Sequence, residues 1–338
     1  LISLGVLFVF KYFNFFIDTI DRRLSWMGID VDDLTLRLAL PIGISFFTFQ
    51  AVGYVVDVHR GTVPVESSAV DFFLFVTFFP QLVAGPIERA DHLLPQLKRK
   101  RTLDQDDVLS GTFLIAQGFT KKIVVADNLK PIVDTIFALD GLSGPLVVAA
   151  LIGFTFQIYC DFSGYSDIAR GAARLMGFRL LLNFRRPYWS ATPAEFWRRW
   201  HITLSNWFRD YVYIALGGNR RGPARVYVNL FLTMVLSGLW HGASANFVLW
   251  GAFHGVLLIG HRIWDRTLPR DGIRSSRAYH LVSIGCTFGL SVYGWLLFRV
   301  TEWSTIVSHT KALFTDMSLG ALGTLGVFAM APYILLAI

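Results

Sequence analysis

Apolar stretches close to the length of a bilayer crossing recur along the sequence and constrain its fold more than any other feature. A spanning helix needs about 20 mostly apolar residues. The clearest candidates occupy 38–56, 141–160, 281–298 and 321–338. Shorter or more polar ones occupy 1–17, 72–87, 108–126, 226–240 and 245–260. Only 16% of the 338 residues are charged and 54% are hydrophobic. A soluble domain carries roughly 25% charged residues, so water cannot be the sole solvent of this surface and membrane lipid is an expected partner. The 10 Trp point the same way, since Trp favours the headgroup boundary. Several candidate spans are short or carry charges such as Lys121 and Lys122. Irregular or polar backbone survives at membrane depth only where protein or a water-filled cavity covers it. The sequence therefore predicts a single all-α, multi-pass membrane domain over 1–338, with helices that tilt or break around a polar interior.

The formal net charge is +7. The basic residues bunch between apolar stretches, at Lys98–Arg101 and again from Arg179 to Arg225. Lys and Arg accumulate on the cytoplasmic side of membrane proteins, so both regions are expected to face the cytoplasm. No block reads as a nucleic-acid patch. The sequence starts at Leu1 and stops inside an apolar run at Ile338, which leads to the expectation that spans are missing at both ends. Cys160 and Cys286 lie in apolar stretches and read as small buried hydrophobes.

The stretch 185–221 is rich in Arg and Trp and is not a spanning helix. Thr192 reads as an N-cap, Pro193 sits where no N–H is needed, and Glu195 closes a capping box. Phe196, Trp200, Leu204, Trp207 and Phe208 follow at helical spacing, with Arg198, Arg199 and Arg209 at other positions. That pattern predicts an interfacial or re-entrant amphipathic helix, ended by Gly217-Gly218-Asn219.

Of the eight histidines, His59, His92, His261, His280 and His309 fall near loops or span ends and read as solvated or interfacial. His254, in the run 245–260, reads as a hydrogen-bonded packing residue. His241 differs. It lies in LSGLWHGA (236–243), flanked by glycines and preceded by Trp240. An ionisable residue inside a membrane segment is costly and marks function by default; the alternative is a histidine that merely bonds a neighbouring helix. A neutral imidazole is what a general base at pH 7 requires. His201, beside Trp200, is by itself a routine interfacial histidine. Metal-ligand motifs, the G-x-S-x-G elbow, the P-loop and the dinucleotide fingerprint are all absent from the sequence. The polar run Asp161–Asp167 (DFSGYSD) reads as a helix cap and hinge.

At these positions the chain resembles a known family. FWRRWHITLS (Phe196–Ser205) and LWHG (Leu239–Gly242) are similar to the signature of the membrane-bound O-acyltransferases, or MBOATs. FFPQLVAGPI (Phe78–Ile87) and YCDFSGYSD (Tyr159–Asp167) resemble its bacterial polysaccharide branch, typified by alginate O-acetylation. Teichoic acid D-alanylation is a more distant likeness, and the match runs from about Phe10 to about Trp264. The resemblance implies a ring of tilted helices, with re-entrant or interfacial helices around a central tunnel. It implies that His241 is the catalytic histidine and His201 the second active-site position. It also implies acetyl-CoA as acyl donor without a metal, or an acyl carrier, arriving from the cytoplasm of a bacterium at its inner membrane. Periplasmic acetyltransferase partners and a polysaccharide acceptor would stand on the other side. A transporter or scaffold subunit of a polysaccharide export complex is the alternative.

Overall fold

The computed structural model describes residues 2–26, 41, 43–82, 85–267, 272–319 and 327–338. Their regular structure is all helix, with no strand among them. The chain opens with α1 (Ile2–Lys11) and α2 (Phe13–Trp26), which divide the expected span 1–17 at Tyr12. Next come α3 (Ile44–His59) and α4 (Ala69–Thr77). Residues 38–40 and 42 of the expected span 38–56 lie outside the described residues. The candidate 72–87 is not one continuous helix: α4 has nine residues and gives way to a 3-10 turn at Phe79–Gln81, and residues 83–84 lie outside the described residues. Pro80 contributes, because proline offers no N–H to continue a helix. The amphipathic α5 (Ala90–Lys98) follows.

Two long antiparallel helices come next. α6 (Gln105–Phe137) runs through a π-helical segment at Thr120–Ala126, and α7 (Gly144–Leu175) has 32 residues. They pack backbone to backbone: a Cβ on Gly118 would stand 2.5 Å from the Gly164 carbonyl oxygen. Small residues at a membrane helix interface permit this approach. The expected hinge at 161–167 does not exist, because α7 passes through it unbroken. Its carboxylates are used across the interface. Lys121 bonds Asp167 at 2.6 Å, and Lys122 bonds Asp161 at 2.6 Å and Asp127 at 2.7 Å. Polar residues that look like a cap are here the counter-charges of lysines on the neighbouring helix.

The remaining elements are α8 (Pro193–Arg199), α9 (Ile202–Phe208), α10 (Gly222–His241), α11 (Ala245–Thr267), α12 (Arg277–Arg299), α13 (Trp303–Thr315) and the short α14 (Ala331–Ala337). Residues 321–326 of the expected span 321–338 lie outside the described residues. α6, α7, α11 and α12 are each long and apolar enough to cross a membrane. With that many crossings available, the protein is a multi-pass membrane protein. The main core gathers aromatic side chains from α7, α8, α11 and α12, with Trp250 and Trp295 almost fully buried.

Three side chains depart from expectation. Cys160 is buried, but Cys286 on α12 is exposed, on a face that lipid rather than protein would cover. His309 is 4% exposed, packed beside Phe137, and not solvated, because α13 lies against α7. His254 is a packing residue, held by rings: it stacks on Phe196 and meets Trp197 and Trp250 edge-on.

Candidate active site

The amphipathic helix expected after Thr192 starts as predicted. The Thr192 hydroxyl accepts from the Glu195 N–H at 3.0 Å, while the Glu195 carboxylate accepts from the Ala191 N–H at 2.8 Å. The helix then breaks, against its own periodicity. Trp200 is extended and His201 adopts a left-handed conformation, φ 42° and ψ 55°. A non-glycine residue there is unusual and persists only when its surroundings impose it.

The surroundings are those of Asn183, which is fully buried. Its carbonyl accepts from the Ile202 N–H at 2.9 Å. Its side-chain oxygen accepts from the Thr203 hydroxyl at 2.6 Å and from the Thr203 N–H at 3.4 Å. The first N–H groups of a helix have no partner within it, and a residue far upstream supplies them here. The Thr203 hydroxyl also accepts from the Ile87 N–H at 3.0 Å. Arg185 N–H bonds the Arg199 carbonyl at 2.9 Å, so the segment 183–185 braces both sides of the break. Because Asn183 does the capping, the His201 side chain is free for another use.

A neighbouring anchor holds this segment in place. Glu88 is buried, accepts from the Leu181 N–H at 2.6 Å, and pairs with His92 at 2.6 Å. Burial pushes the Glu88 carboxyl up, and the Glu88 carboxylate pushes His92 above its ordinary value.

His241 is the last residue of α10. α10 and α11 touch through glycines: a Cβ on Gly238 would stand 2.1 Å from the Phe247 carbonyl oxygen, and one on Gly251 2.3 Å from that of Met234. This approach brings Phe247 and Trp250 of α11 to the imidazole. Ring centroids of Trp250 and Phe298 lie 5.1 and 5.2 Å from His241, both nearly perpendicular. Trp240 lies between the histidines, 4.9 Å from His241 and 6.1 Å from His201. His201 also meets Phe162 edge-on at 4.6 Å.

His201 and His241 line the same cavity, of about 310 Å³. Phe46, Asp161, Tyr165, Trp200 and Trp295 are among its other walls. Both ring nitrogens of His201 are buried with no partner. Buried polar groups are nearly always bonded, so these nitrogens are available to a group entering the cavity. No cluster of metal-ligating side chains occurs among the described residues. The arrangement suits proton transfer and hydrogen-bond donation in an aromatic, water-poor setting. Asn183 and the ring cage of α11 and α12 carry no sequence signal of their own; only their contacts reveal them.

Comparison with known proteins identifies the family. The model of the membrane-bound O-acyltransferase family matches residues 60–301, which include both histidines. The chain is 42% identical over 314 residues to a probable alginate O-acetylase AlgI of Pseudomonas putida, covering 93% of this chain and 63% of that protein. It is 33% identical to a peptidoglycan O-acetyltransferase of Helicobacter pylori, covering 92% and 63%, respectively. A teichoic acid D-alanyltransferase of Bacillus subtilis is 26% identical over 272 residues. The chain thus spans about 63% of the length of the first two of these relatives. On the extent of the family match, the chain belongs to the membrane-bound O-acyltransferase family.

Proposed function

We propose that this chain is the membrane part of an O-acetyltransferase. It moves an acetyl group from a cytoplasmic thioester, acetyl-CoA or an acyl carrier, across the inner membrane for O-acetylation of a secreted, alginate-like polysaccharide. What supports the reading is that two histidines from separate family motifs line one aromatic cavity. The identity to proteins named for alginate and peptidoglycan O-acetylation supports the acetyl group and the glycan. The basic regions at 98–101 and 179–225 give the cytoplasmic side its charge and would attract a phosphate-bearing donor.

In this mechanism His241 takes the proton from an acceptor hydroxyl, and the hydroxyl oxygen attacks the thioester carbonyl. The tetrahedral intermediate collapses by breaking the C–S bond, and the thiolate leaves with the proton that His241 returns. His201 donates an N–H to the carbonyl oxygen as it gains charge, the role of an oxyanion donor. The acceptor is a serine of a periplasmic partner or a sugar hydroxyl.

Full-length protein with His241→Ala tests the reading. General-base removal costs ~10²–10⁴-fold, so acetyl transfer should fall by that much while the variant stays in the membrane. Near-normal transfer would sink the assignment. A transport or scaffold subunit would instead show no His241-dependent cleavage of acetyl-CoA in purified form.

A further inference from the structure

Lys11 ends α1 and is part-buried, yet no carboxylate pairs with it among the described residues. An unpaired ammonium in a membrane domain is costly and calls for a reason. Its Nζ donates to the Ser45 hydroxyl at 3.2 Å and to the carbonyl oxygen of Trp240. It also lies 5.2 Å from the centroid of the Trp240 ring, within cation–π range.

The Trp240 carbonyl is an informative partner. α10 ends at His241, and Gly242 is already extended, with φ −171° and ψ 153°. The last four carbonyls of a helix have no partner within it, and they form the negative end of its dipole, which a cation stabilises. Moreover, the Trp240 carbonyl belongs to the same peptide unit as the His241 nitrogen. A group that fixes this plane fixes the Cα from which the imidazole projects. The rings of Trp250, Phe247 and Phe298 pack against the imidazole itself.

We propose that Lys11 is a positioning residue for His241: its ammonium caps α10, clamps the Trp240–His241 peptide, and sets the imidazole in the cavity. The proposal rests on the reading of His241 given above. Helix packing alone does not require a cation at this point; an uncharged side chain of equal length would fill the same space.

The test uses full-length protein with Lys11→Met, Lys11→Arg and His241→Ala, each purified and shown to be folded by its elution and melting profile. Two readouts are taken: acetyl-CoA turnover, and the rate at which diethyl pyrocarbonate modifies His241, followed by peptide mass spectrometry. A misplacement of about 1 Å costs on the order of 10²-fold. Lys11→Met should therefore lower kcat by about that factor, with KM for acetyl-CoA held within about threefold. Lys11→Arg should recover most of the rate. The His241 modification rate should change in Lys11→Met while that of His254 does not. Wild-type kcat and wild-type labelling in folded Lys11→Met overturn the proposal. So does a loss accounted for entirely by less folded protein. Should Lys11→Met not accumulate, Lys11→Leu, which also removes both the donor and the charge, carries the same comparison. If His241→Ala remains active, the base assignment fails by itself, and the labelling still reads the clamp.

Discussion

Asn183 caps the helix that begins immediately after His201: its side-chain oxygen accepts from the Thr203 hydroxyl at 2.6 Å, and its backbone carbonyl accepts from the Ile202 N–H. The break that places His201 in the cavity is therefore held from a segment upstream. Asn183→Ala should lose an N-cap worth about 1 kcal/mol and leave the Thr203 hydroxyl without its acceptor. The expected outcome is a lower melting temperature and a larger loss of acetyl transfer than the destabilisation alone explains. Measuring both on the same purified sample checks it.

The left-handed backbone at His201 reverses the usual order of Ala and Gly. Within a helix glycine is the worse residue, but at φ 42° a Cβ costs roughly 1–2 kcal/mol. His201→Gly should therefore be more stable than His201→Ala by about 1 kcal/mol, although both lose the imidazole. Parallel denaturant melts of the two variants read the difference. An equal or reversed order would mean that the strain is relieved elsewhere.

Glycines of the α10–α11 contact and glycines facing outward should behave oppositely. Gly251→Ala places a methyl against the Met234 carbonyl oxygen and must separate the helices, at a cost of about 1–3 kcal/mol or more. It should also displace Trp250 from His241 and lower activity. Gly289→Ala on α12 meets nothing within 4 Å and should be neutral or stabilising by up to about 1 kcal/mol. Thermal melts of both variants, with activity alongside, give the comparison.

The Glu88–His92 pair gives stability a pH dependence with a definite sign. His92 is held above its ordinary value by the Glu88 carboxylate, so folding favours its protonated form. The stability it contributes is fully present below its unfolded pKa and is lost as pH rises through the raised folded value. His92→Gln should therefore cost stability at acidic pH and progressively less as pH rises past the histidine range. Melting wild type and variant across that range checks the sign.

The parts of the fold that depend on local composition are legible in the sequence. Apolar length locates α7, α11 and α12, and the Thr192–Glu195 cap is visible as a motif. Parts that depend on partners far along the chain are not. Phe196, Trp200, Leu204 and Trp207 are spaced for one continuous helix, and bonds from distant residues, Asn183 and Arg185 among them, hold the break that interrupts it. The run 161–167 has the composition of a cap, but its carboxylates answer lysines on another helix. His309 lies near a span end yet is buried, because α13 packs on α7 and does not leave the bundle. Of the site, the two histidines stand out through their motifs. The ring cage and Lys11 are invisible until the chain is folded.

The charge pairs between α6 and α7 bear on how the protein is made. A lysine at the centre of a membrane helix costs roughly 2.5–3.5 kcal/mol to insert, and α6 carries two, adjacent in its π-helical segment. Lys122 has Asp127 on α6 itself, but its second partner Asp161, and Asp167, the partner of Lys121, arrive only with α7. Synthesised alone, α6 is a poor candidate for release into lipid. Followed by α7, it becomes one half of a neutralised hairpin, so the two segments are expected to leave the insertion machinery together, and a nascent chain ending between them should fail to integrate.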